Sequence, residues 1–333
     1  MWARSMSAGR SLATSVNTWL PATCGELVQG VLDGELCLVS CPIGWYGRVT
    51  VRVWREEGPV WHTPPDSPKV ARALNVVLET VGGEGWRGTV DTRSPVPRGR
   101  GYGSSTVDVV GTICGLMAAV AGSVPDPPLL GRLAVQVEPT DSTLAPGVAL
   151  FAHRTAAVLE PWGMPPPLAV VVLDPGGQVN TEAFNRAVSV EMLGRLAPLH
   201  REAFVLLREG VARQDVEAIG RAATLSARAH QAVLPNPLVD EALALADAVG
   251  AVGICRAHSG TLVGLLWDPA AGDVEEAATW VAARLAGRAL VHVVPLVGGG
   301  PRIFFDEERL QWCPSWSLPA PTAAWARPPS PPA

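Results

Sequence analysis

One stretch of the sequence decides how the rest of it is interpreted, Pro95-Val96-Pro97-Arg98-Gly99-Arg100-Gly101-Tyr102-Gly103-Ser104-Ser105-Thr106. Glycines alternate with larger residues, and an apolar run over 107–120 follows, long enough for about four helical turns. Glycine lets the backbone close around an anion, and the first turn of a helix offers unpaired N–H groups and partial positive charge. The stretch therefore predicts a phosphate-binding loop that leads into a buried helix.

Other nucleotide-binding patterns fit this loop less well. A Walker A loop needs a lysine before its final hydroxyl residue, but the only lysine in the sequence is Lys69. A dinucleotide fingerprint needs a third glycine where Ser104 stands, and Pro95 and Pro97 interrupt the strand that should precede it. An ordinary loop whose serine caps a core helix remains an alternative on the residues alone.

Composition limits the class of protein. The chain has 333 residues, of which 48% are hydrophobic, enough for the core of two domains. A net charge of −5 argues against a general binder of nucleic acid or anionic membranes. No apolar run reaches the roughly 20 residues of a membrane span, and no signal-peptide pattern begins the chain. We therefore expect a soluble cytoplasmic protein without a nucleic-acid or membrane partner.

The cysteines do not predict a metal site. None of the six forms a C-x-x-C pair, and Cys37 and Cys41 have no histidine or second pair nearby to complete a tetrahedral site. Reduced and partly buried thiols are the expected state.

The pattern of elements predicts two α/β domains between a flexible extension at 1–17 and a proline-rich disordered tail at 311–333. The first domain, 18–164, combines a loop, short strand and turn over 20–34 and strands at 36–43, 49–54 and 86–92 with helices at 67–82, 107–120 and 127–137. The second, 165–310, has strands at 168–173, 252–256, 261–267 and 289–294 and helices at 181–209, 211–232, 237–249 and 272–286. Its order is that of a ferredoxin-like domain.

Two carboxylates follow the phosphate loop. Glu138 and Asp141 lie on either side of Pro139, which prevents a continuous helix through both. They therefore lie where a helix passes into a loop, and their side chains can converge on a site. A solvated helix end and a turn cap are the structural alternatives. Their position after a phosphate loop favours chemistry.

Several segments resemble one family, the GHMP kinases. The loop at 97–106 is similar to the second motif of that family, P-x-x-x-G-L-G-S-S-A, with Tyr102 and Thr106 where the pattern often has Leu and Ala. His258-Ser259-Gly260-Thr261-Leu262-Val263-Gly264-Leu265 resembles the third motif. Pro21-Ala22-Thr23-Cys24-Gly25-Glu26-Leu27-Val28-Gln29-Gly30 departs from the first motif of sugar kinases and resembles the branch that phosphorylates L-threonine in the cobalamin pathway.

The resemblance implies an S5-like N-terminal domain, a ferredoxin-like C-terminal domain, and ATP with Mg²⁺ between them. It also implies a reaction in which ATP and L-threonine give ADP and L-threonine O-3-phosphate, for the aminopropanol arm of cobalamin. Two alternatives stay open: a kinase for another small alcohol such as homoserine, and a non-catalytic nucleotide-binding protein on the same fold.

The resemblance also implies roles for individual residues. Ser105 and Glu138 would hold Mg²⁺, and Asp141 would act as base or through its charge. Asp108 would orient the loop serines or favour the helix N-terminus, and His258 would be a turn residue with no direct catalytic role. Substrate would meet Cys24, Gly25, Glu26 and Gln29, with Glu26 facing the ammonium group. ATP would meet Pro97, Arg98, Gly99, Arg100, Gly101, Tyr102, Gly103, Ser104, Ser105, Thr106, Ser259 and Gly260.

Overall fold

One curled sheet runs through the residues that the structure describes, 14–56, 61–179 and 188–305 of a computed structural model. In that part of the chain the sheet has eleven strands, joined along the main path in the order β10-β7-β9-β8-β1-β2-β4-β3. The strands are β1 Thr14–Leu32, β2 Glu35–Arg55, β3 Trp61–His62, β4 Trp86–Arg93, β5 Val148–Ala152, β6 Leu159–Gly163, β7 Ala169–Asp174, β8 Gly253–Arg256, β9 Val263–Trp267, β10 Leu290–Pro295 and β11 Arg302–Phe305.

Helices cover this sheet, and several of them match the predicted bounds. The predicted helices at 67–82, 127–137 and 237–249 are confirmed. The predicted segment 211–232 starts later, because Gln214 takes a left-handed conformation and Asp215 caps the next helix. The helices described are α1 Pro68–Val81, α2 Ser104–Ala121, α3 Pro127–Val137, α4 Val190–Gly194, α5 Ala197–Arg213, α6 Val216–His230, α7 Pro237–Val249 and α8 Val274–Leu285.

The long hairpin of β1 and β2 corrects the prediction of several short strands. The two strands pair from Thr14↔Val53 to Leu32↔Glu35. Residues 14–17, expected in the flexible extension, therefore belong to the sheet. Register shifts between Pro21 and Ala22 and between Thr23 and Glu26 accommodate the proline and glycine that suggested a loop. The prediction failed because bulges let one strand continue past residues that normally end it.

The second half of the chain has the predicted ferredoxin-like topology. Its strands β7, β8, β9 and β10 lie in the order β10-β7-β9-β8, which is 4-1-3-2, and all neighbours are antiparallel. This half joins the first through β8 and β1, which pair at one position, Glu26↔Arg256. The sheet therefore passes from one half to the other at Glu26. The predicted disordered tail, 311–333, lies outside the described residues.

Helix α2 forms the centre of the first half. Fifteen of its eighteen residues are buried, and it packs against β1, β2, α1 and α3. The helix is long and apolar enough to cross a membrane, but 83% of its residues are buried inside the protein. It is the core helix of the domain, and its N-terminus is held at the phosphate loop.

Helix α5 offers a test of the packing on β1. Leu207 is fully buried, whereas Val205 on the same helix is 51% exposed. We expect Leu207→Ala to lower the free energy of unfolding by about 2–5 kcal/mol through lost burial and a cavity. Val205→Ala is the matched control and should change it by less than about 0.5 kcal/mol. Chemical denaturation of both variants measures the difference; equal effects would mean that α5 does not pack as described.

Candidate active site

The predicted loop and helix meet at Gly103. This residue has φ +69° and stands directly before α2, which begins at Ser104. Gly101 has φ +107°, and a Cβ there would lie 2.3 Å from the Cβ of Ala257. Both conformations favour glycine strongly, so the alternation of glycines reflects real backbone demands. The first N–H groups of α2 are directed towards the loop, as an anion site requires.

Backbone hydrogen bonds hold the loop between the two halves of the chain. On one side, N–H groups of β1 donate to the loop: Thr23 to the carbonyl of Tyr102 at 2.9 Å and Gly25 to that of Gly101 at 3.1 Å. On the other side, the Thr261 N–H donates to the Arg100 carbonyl at 2.9 Å. A Cβ on Gly260 would lie 2.3 Å from that same carbonyl oxygen. The loop is therefore a fixed element of the molecule.

The loop side chains are largely engaged with protein carboxylates. Arg98 pairs with Asp108, with Nη2 to Oδ2 at 2.9 Å. Arg100 Nη1 and the Tyr102 hydroxyl both donate to Asp174 Oδ2, at 2.9 and 3.1 Å. Burial raises the pKa of Asp108 to about 6, and Arg98 opposes that shift. Both arginine side chains are therefore already paired, and the backbone N–H groups are what this loop offers an anion.

A pocket opens beside the loop and collects most of the predicted residues. It is bounded by the glycine loop, by the segment that carries both predicted carboxylates and by the bulged part of β1. Its lining is Glu26, Gln29, Leu38, Lys69, Gly99, Gly101, Tyr102, Gly103, Ser104, Ser105, Thr106, Glu138, Pro139, Thr140, Asp141, His153 and Ser259. Segments that are far apart in sequence thus meet in one cavity.

Ser105 and Glu138, the two residues predicted to bind Mg²⁺, lie in contact with each other. The Ser105 hydroxyl is hydrogen-bonded to Glu138 Oε1. Lys69 donates to Ser105 Oγ at 3.0 Å and forms an ion pair with Glu138 Oε2. The Lys69 ammonium group thus offsets the negative charge of Glu138. The hydroxyl and carboxylate oxygens are of the kind that Mg²⁺ prefers as ligands. No cluster of three His, Cys, Asp or Glu side chains in 14–56, 61–179 or 188–305 could hold a metal unaided.

Asp141 lies against the start of α2. Its Oδ2 would be 2.6 Å from a Cβ at Gly103, and its backbone N–H donates to Thr106 Oγ1 at 3.1 Å. Burial raises the pKa of Asp141 to about 7, the charges of Glu26 and Glu138 add to the rise, and a hydrogen bond with Thr106 opposes it. A carboxyl group with a pKa near neutrality in a pocket is suited to proton transfer.

Glu26 is held by the turn at 257–260. Its Oε2 accepts from the His258 backbone N–H at 2.8 Å and lies 3.0 Å from Nδ1 of the same residue. Burial raises the pKa of Glu26 to about 7, while the His258 N–H opposes the rise. Burial also keeps the pKa of His258 well below its usual value, so the ring is neutral. His258 thus positions Glu26, a role that the sequence did not indicate.

The remaining predicted residues surround the pocket at different depths. Gln29 and Ser259 line it. Gly25 and Gly260 contribute backbone contacts to the loop, as described above. Cys24 is a fully buried residue of β1, and its sulfur would lie 2.8 Å from a Cβ at Gly264. It does not line the pocket, although it was predicted to meet the substrate. The described cysteines, Cys24, Cys37, Cys41, Cys114 and Cys255, are all free thiols and buried, in agreement with the expected reduced state.

Lys69 and His153 are among the pocket residues that the sequence prediction missed. Lys69, on the first turn of α1, served only to exclude a Walker A loop, although a lone lysine among many arginines was a visible signal. His153, directly after β5, carried no signal because β5 itself was not predicted. Both residues reach the pocket through contacts between segments that are distant in sequence.

Family models match both halves of the chain. The model described as GHMP kinases N terminal domain covers residues 68–151, and that described as GHMP kinases C terminal covers 207–279. Among characterised proteins, an L-threonine kinase of Salmonella typhimurium strain LT2 is 32% identical over 295 residues, which are 85% of this chain and 94% of the relative. An L-threonine kinase of Citrobacter freundii is 34% identical over 255 residues, 77% and 87% of the two chains.

Solved structures share the fold at low sequence identity. A homoserine kinase from Cytophaga hutchinsonii superposes with a TM-score of 0.61 at 19% identity, covering 91% of this chain and all of its own. A mevalonate diphosphate decarboxylase from Staphylococcus aureus reaches a TM-score of 0.68 at 13% identity, covering 88% and 98%. The predicted two-domain fold is confirmed by these neighbours. With relatives that match it along most of their length, the chain belongs to the GHMP kinase family.

Proposed function

We propose that this protein is an ATP-dependent kinase that phosphorylates the side-chain hydroxyl of L-threonine, giving L-threonine O-3-phosphate and ADP. The observation that carries the proposal is the convergence of Ser105, Glu138 and Asp141 beside the glycine loop. That arrangement supplies an anion site, a pair of oxygen ligands and a carboxylate of raised pKa in one pocket. The L-threonine kinases that match most of this chain support the choice of substrate.

The glycine loop and the N-terminus of α2 bind the phosphates. Backbone N–H groups of residues 99–105 would donate to phosphate oxygens, and the helix dipole adds favourable charge. Ser105 and Glu138 would hold Mg²⁺, which neutralises phosphate charge when it is bound. Lys69 already contacts both residues, so its ammonium group keeps them in place and can donate to a phosphate oxygen.

Asp141 orients and deprotonates the hydroxyl group of the substrate. Its carboxyl lies against Gly103, so it is close to the phosphate end of the pocket. The raised pKa of about 7 places its ionisation within the working range of pH. Because phosphoryl transfer depends mostly on positioning and charge, Asp141 can also act by aligning the hydroxyl for in-line attack.

Glu26 binds the ammonium group of the amino acid. It lines the pocket, and its orientation is set by the two His258 contacts. An ammonium group close to it would lower its pKa and favour the ionised form. A pocket that holds both Glu26 and Asp141 thus favours an amino acid with a hydroxyl group over a neutral sugar.

The product serves as precursor of the aminopropanol arm of cobalamin, and we propose that the reaction takes place in the cytoplasm. Homoserine differs from threonine only in the position of its hydroxyl group, so it is the natural competitor. A purely nucleotide-binding protein would have no use for Asp141 beside the phosphate loop.

The first test is ADP release from Mg·ATP with and without L-threonine, with phosphorus NMR of the product. We expect threonine-dependent ADP and a phosphomonoester signal. L-Serine and L-homoserine are the matched controls and should show lower kcat/KM. A preference for homoserine would show that homoserine is the substrate instead of threonine. ATP binding without ADP release for any of these hydroxyl-bearing amino acids would refute the proposed kinase activity.

Asp141→Asn tests whether Asp141 acts in the chemical step and not in ATP binding. We expect turnover to fall by about 10²–10⁴-fold, the usual contribution of a general base, with little change in ATP affinity. The variant should also unfold at a higher temperature near about pH 8, because the folded protein no longer buries a carboxylate whose pKa is raised.

The direction of this change in stability with pH follows from the number of protons that the folded state binds. A raised pKa means that the folded state binds more protons, so wild-type stability falls as pH rises from the unfolded value towards about 7. Calorimetry at several pH values should show this slope reduced in the variant and a gain of about 2–4 °C above neutrality. Near-normal turnover would remove Asp141 from the mechanism.

Lys69→Met tests the cation beside the metal ligands. We expect kcat/KM for ATP to fall by about 10–100-fold, the value of one charged hydrogen bond. Lys69→Arg should retain part of the activity because the charge remains. Steady-state kinetics at saturating Mg²⁺ measures the effect. Wild-type values for Lys69→Met would show that the contacts with Ser105 and Glu138 serve only the resting protein.

A further inference from the structure

A chain of hydrogen bonds runs from the pocket into the protein interior behind Glu26. Glu26 lines the pocket, and its Oε2 lies 3.0 Å from Nδ1 of His258. On the far side of the ring, Nε2 lies 3.3 Å from the hydroxyl oxygen of Ser226 in helix α6. Because Glu26 is the proposed ligand of the ammonium group, the groups that fix its carboxylate act on substrate binding.

An acid, a histidine and a serine in this order resemble the catalytic triad of hydrolases, but the burial of Ser226 excludes that use. The serine is only 1% exposed and, among the described residues, is not part of the pocket lining. Its Oγ also accepts from the Gln29 backbone N–H at 3.1 Å. A nucleophile must reach the reacting atom of its substrate, so this hydroxyl serves to hold other groups in place.

The contacts of the His258 ring determine which nitrogen carries the proton. Burial keeps its pKa well below the usual value, so the ring is neutral and has one N–H. Nδ1 faces two acceptors, Glu26 Oε2 and the Arg256 carbonyl at 3.2 Å, and therefore carries the hydrogen. Nε2 is then an acceptor, and the Ser226 hydroxyl donates to it. The other acceptor near that hydroxyl, the Gln29 carbonyl, is farther away, at 3.5 Å.

Helix α6 holds this histidine from two positions. Ser226 and His230 are four residues apart and lie on the same face of the helix. The carbonyl of His258 accepts from His230 Nε2 at 2.9 Å, and the centroids of the two rings are 4.2 Å apart. The turn at 257–260 is thus attached to α6 through both the backbone and the side chain of His258.

We propose that Ser226 is a positioning residue for the substrate: its hydroxyl keeps His258 in the Nδ1–H tautomer, so that the Glu26 carboxylate receives both N–H groups of His258 and stays oriented for the ammonium group. This inference rests on the proposed function, since it deepens the role given to Glu26. Without the hydroxyl, Nε2 loses its donor, and the ring can change tautomer or turn. Glu26 then loses one N–H, which favours its protonated form.

Other groups also influence the ionisation of Glu26, and a variant at position 226 leaves them in place. Burial raises the pKa of Glu26 to about 7. The groups whose charges interact with it are Arg256, Cys255, Asp141, Cys24 and Cys41. A shift in the titration of Glu26 between wild type and variant therefore reports the altered hydrogen bond.

The test variant is Ser226→Ala, and the matched control is Thr224→Ala on the same helix. Both hydroxyl oxygens accept from a backbone N–H, that of Gln29 and that of Ile254, but of the two only Ser226 contacts His258. The dissociation constant of L-threonine is measured by calorimetry from acidic to alkaline pH, with a non-hydrolysable ATP analogue and Mg²⁺ present. Steady-state kinetics gives kcat and the KM for ATP.

A second measurement reads the tautomer itself in the wild-type protein without ligand. Nitrogen-15 NMR of the histidine rings distinguishes Nδ1–H from Nε2–H, and His258→Gln identifies the signals of His258. We expect the Nδ1–H form in wild type and Thr224→Ala, and a mixture of forms in Ser226→Ala.

We expect Ser226→Ala to weaken L-threonine binding by about 3–10-fold at neutral pH, the value of one hydrogen bond, and to move the loss of binding on acidification to higher pH. The KM for ATP and kcat at saturating threonine should stay within about 2-fold of wild type, and Thr224→Ala should bind threonine as wild type does. Equal effects of the two variants, an unshifted pH dependence, or an Nε2–H ring in wild type would overturn the role of Ser226. A wild-type protein that neither binds nor phosphorylates L-threonine would overturn the proposed function instead.

Discussion

The contact on which the site depends is one between backbones. The glycine loop is in close backbone contact with β1 on one side and with the turn at 257–260 on the other. Gly25, Gly101 and Gly260 stand where any Cβ would lie about 2.3 Å from an atom of the neighbouring segment. This closeness lets main-chain hydrogen bonds from both halves of the molecule fix the loop. A phosphate cradle needs such rigidity, because its N–H groups must already be oriented when the anion arrives.

The same junction brings two buried carboxyl groups into one pocket. Glu26 lies at the one position where β1 pairs with β8, and Asp141 lies over the N-terminus of α2. Burial raises the pKa of each to about 7, and the charge of Glu26 adds to the rise at Asp141; the His258 backbone N–H opposes it at Glu26, and a hydrogen bond with Thr106 opposes it at Asp141. The arrangement is unfavourable for folding and useful for chemistry, because an incoming ammonium group finds negative charge at hand.

Local sequence patterns predicted the elements whose structure depends on residues that are near in the chain. The loop, the helices at 68–81 and 127–137 and the order of the second domain follow from periodicity, caps and glycine positions. The long strands β1 and β2 did not, since the bulges that carry them past Pro21 and Gly25 depend on partners far away in sequence. Lys69 and His153 escaped for the same reason. Both residues reach the pocket only through packing between segments: Lys69 of α1, for example, contacts Ser105, 36 residues further along the chain. Arg98 and Arg100, which suggested phosphate contacts, turn out to have carboxylate partners.

The lone lysine has a practical consequence. Apart from the chain terminus, this sequence offers one primary amine, and that amine lies in the pocket against Ser105 and Glu138. Amine-directed reagents, which on most proteins give a heterogeneous mixture of surface adducts, will here modify a single internal position. Bound nucleotide should shield that position, so the extent of acylation becomes a direct readout of occupancy. For the same reason, immobilisation or dye labelling through lysine would report on an enzyme whose centre has been altered.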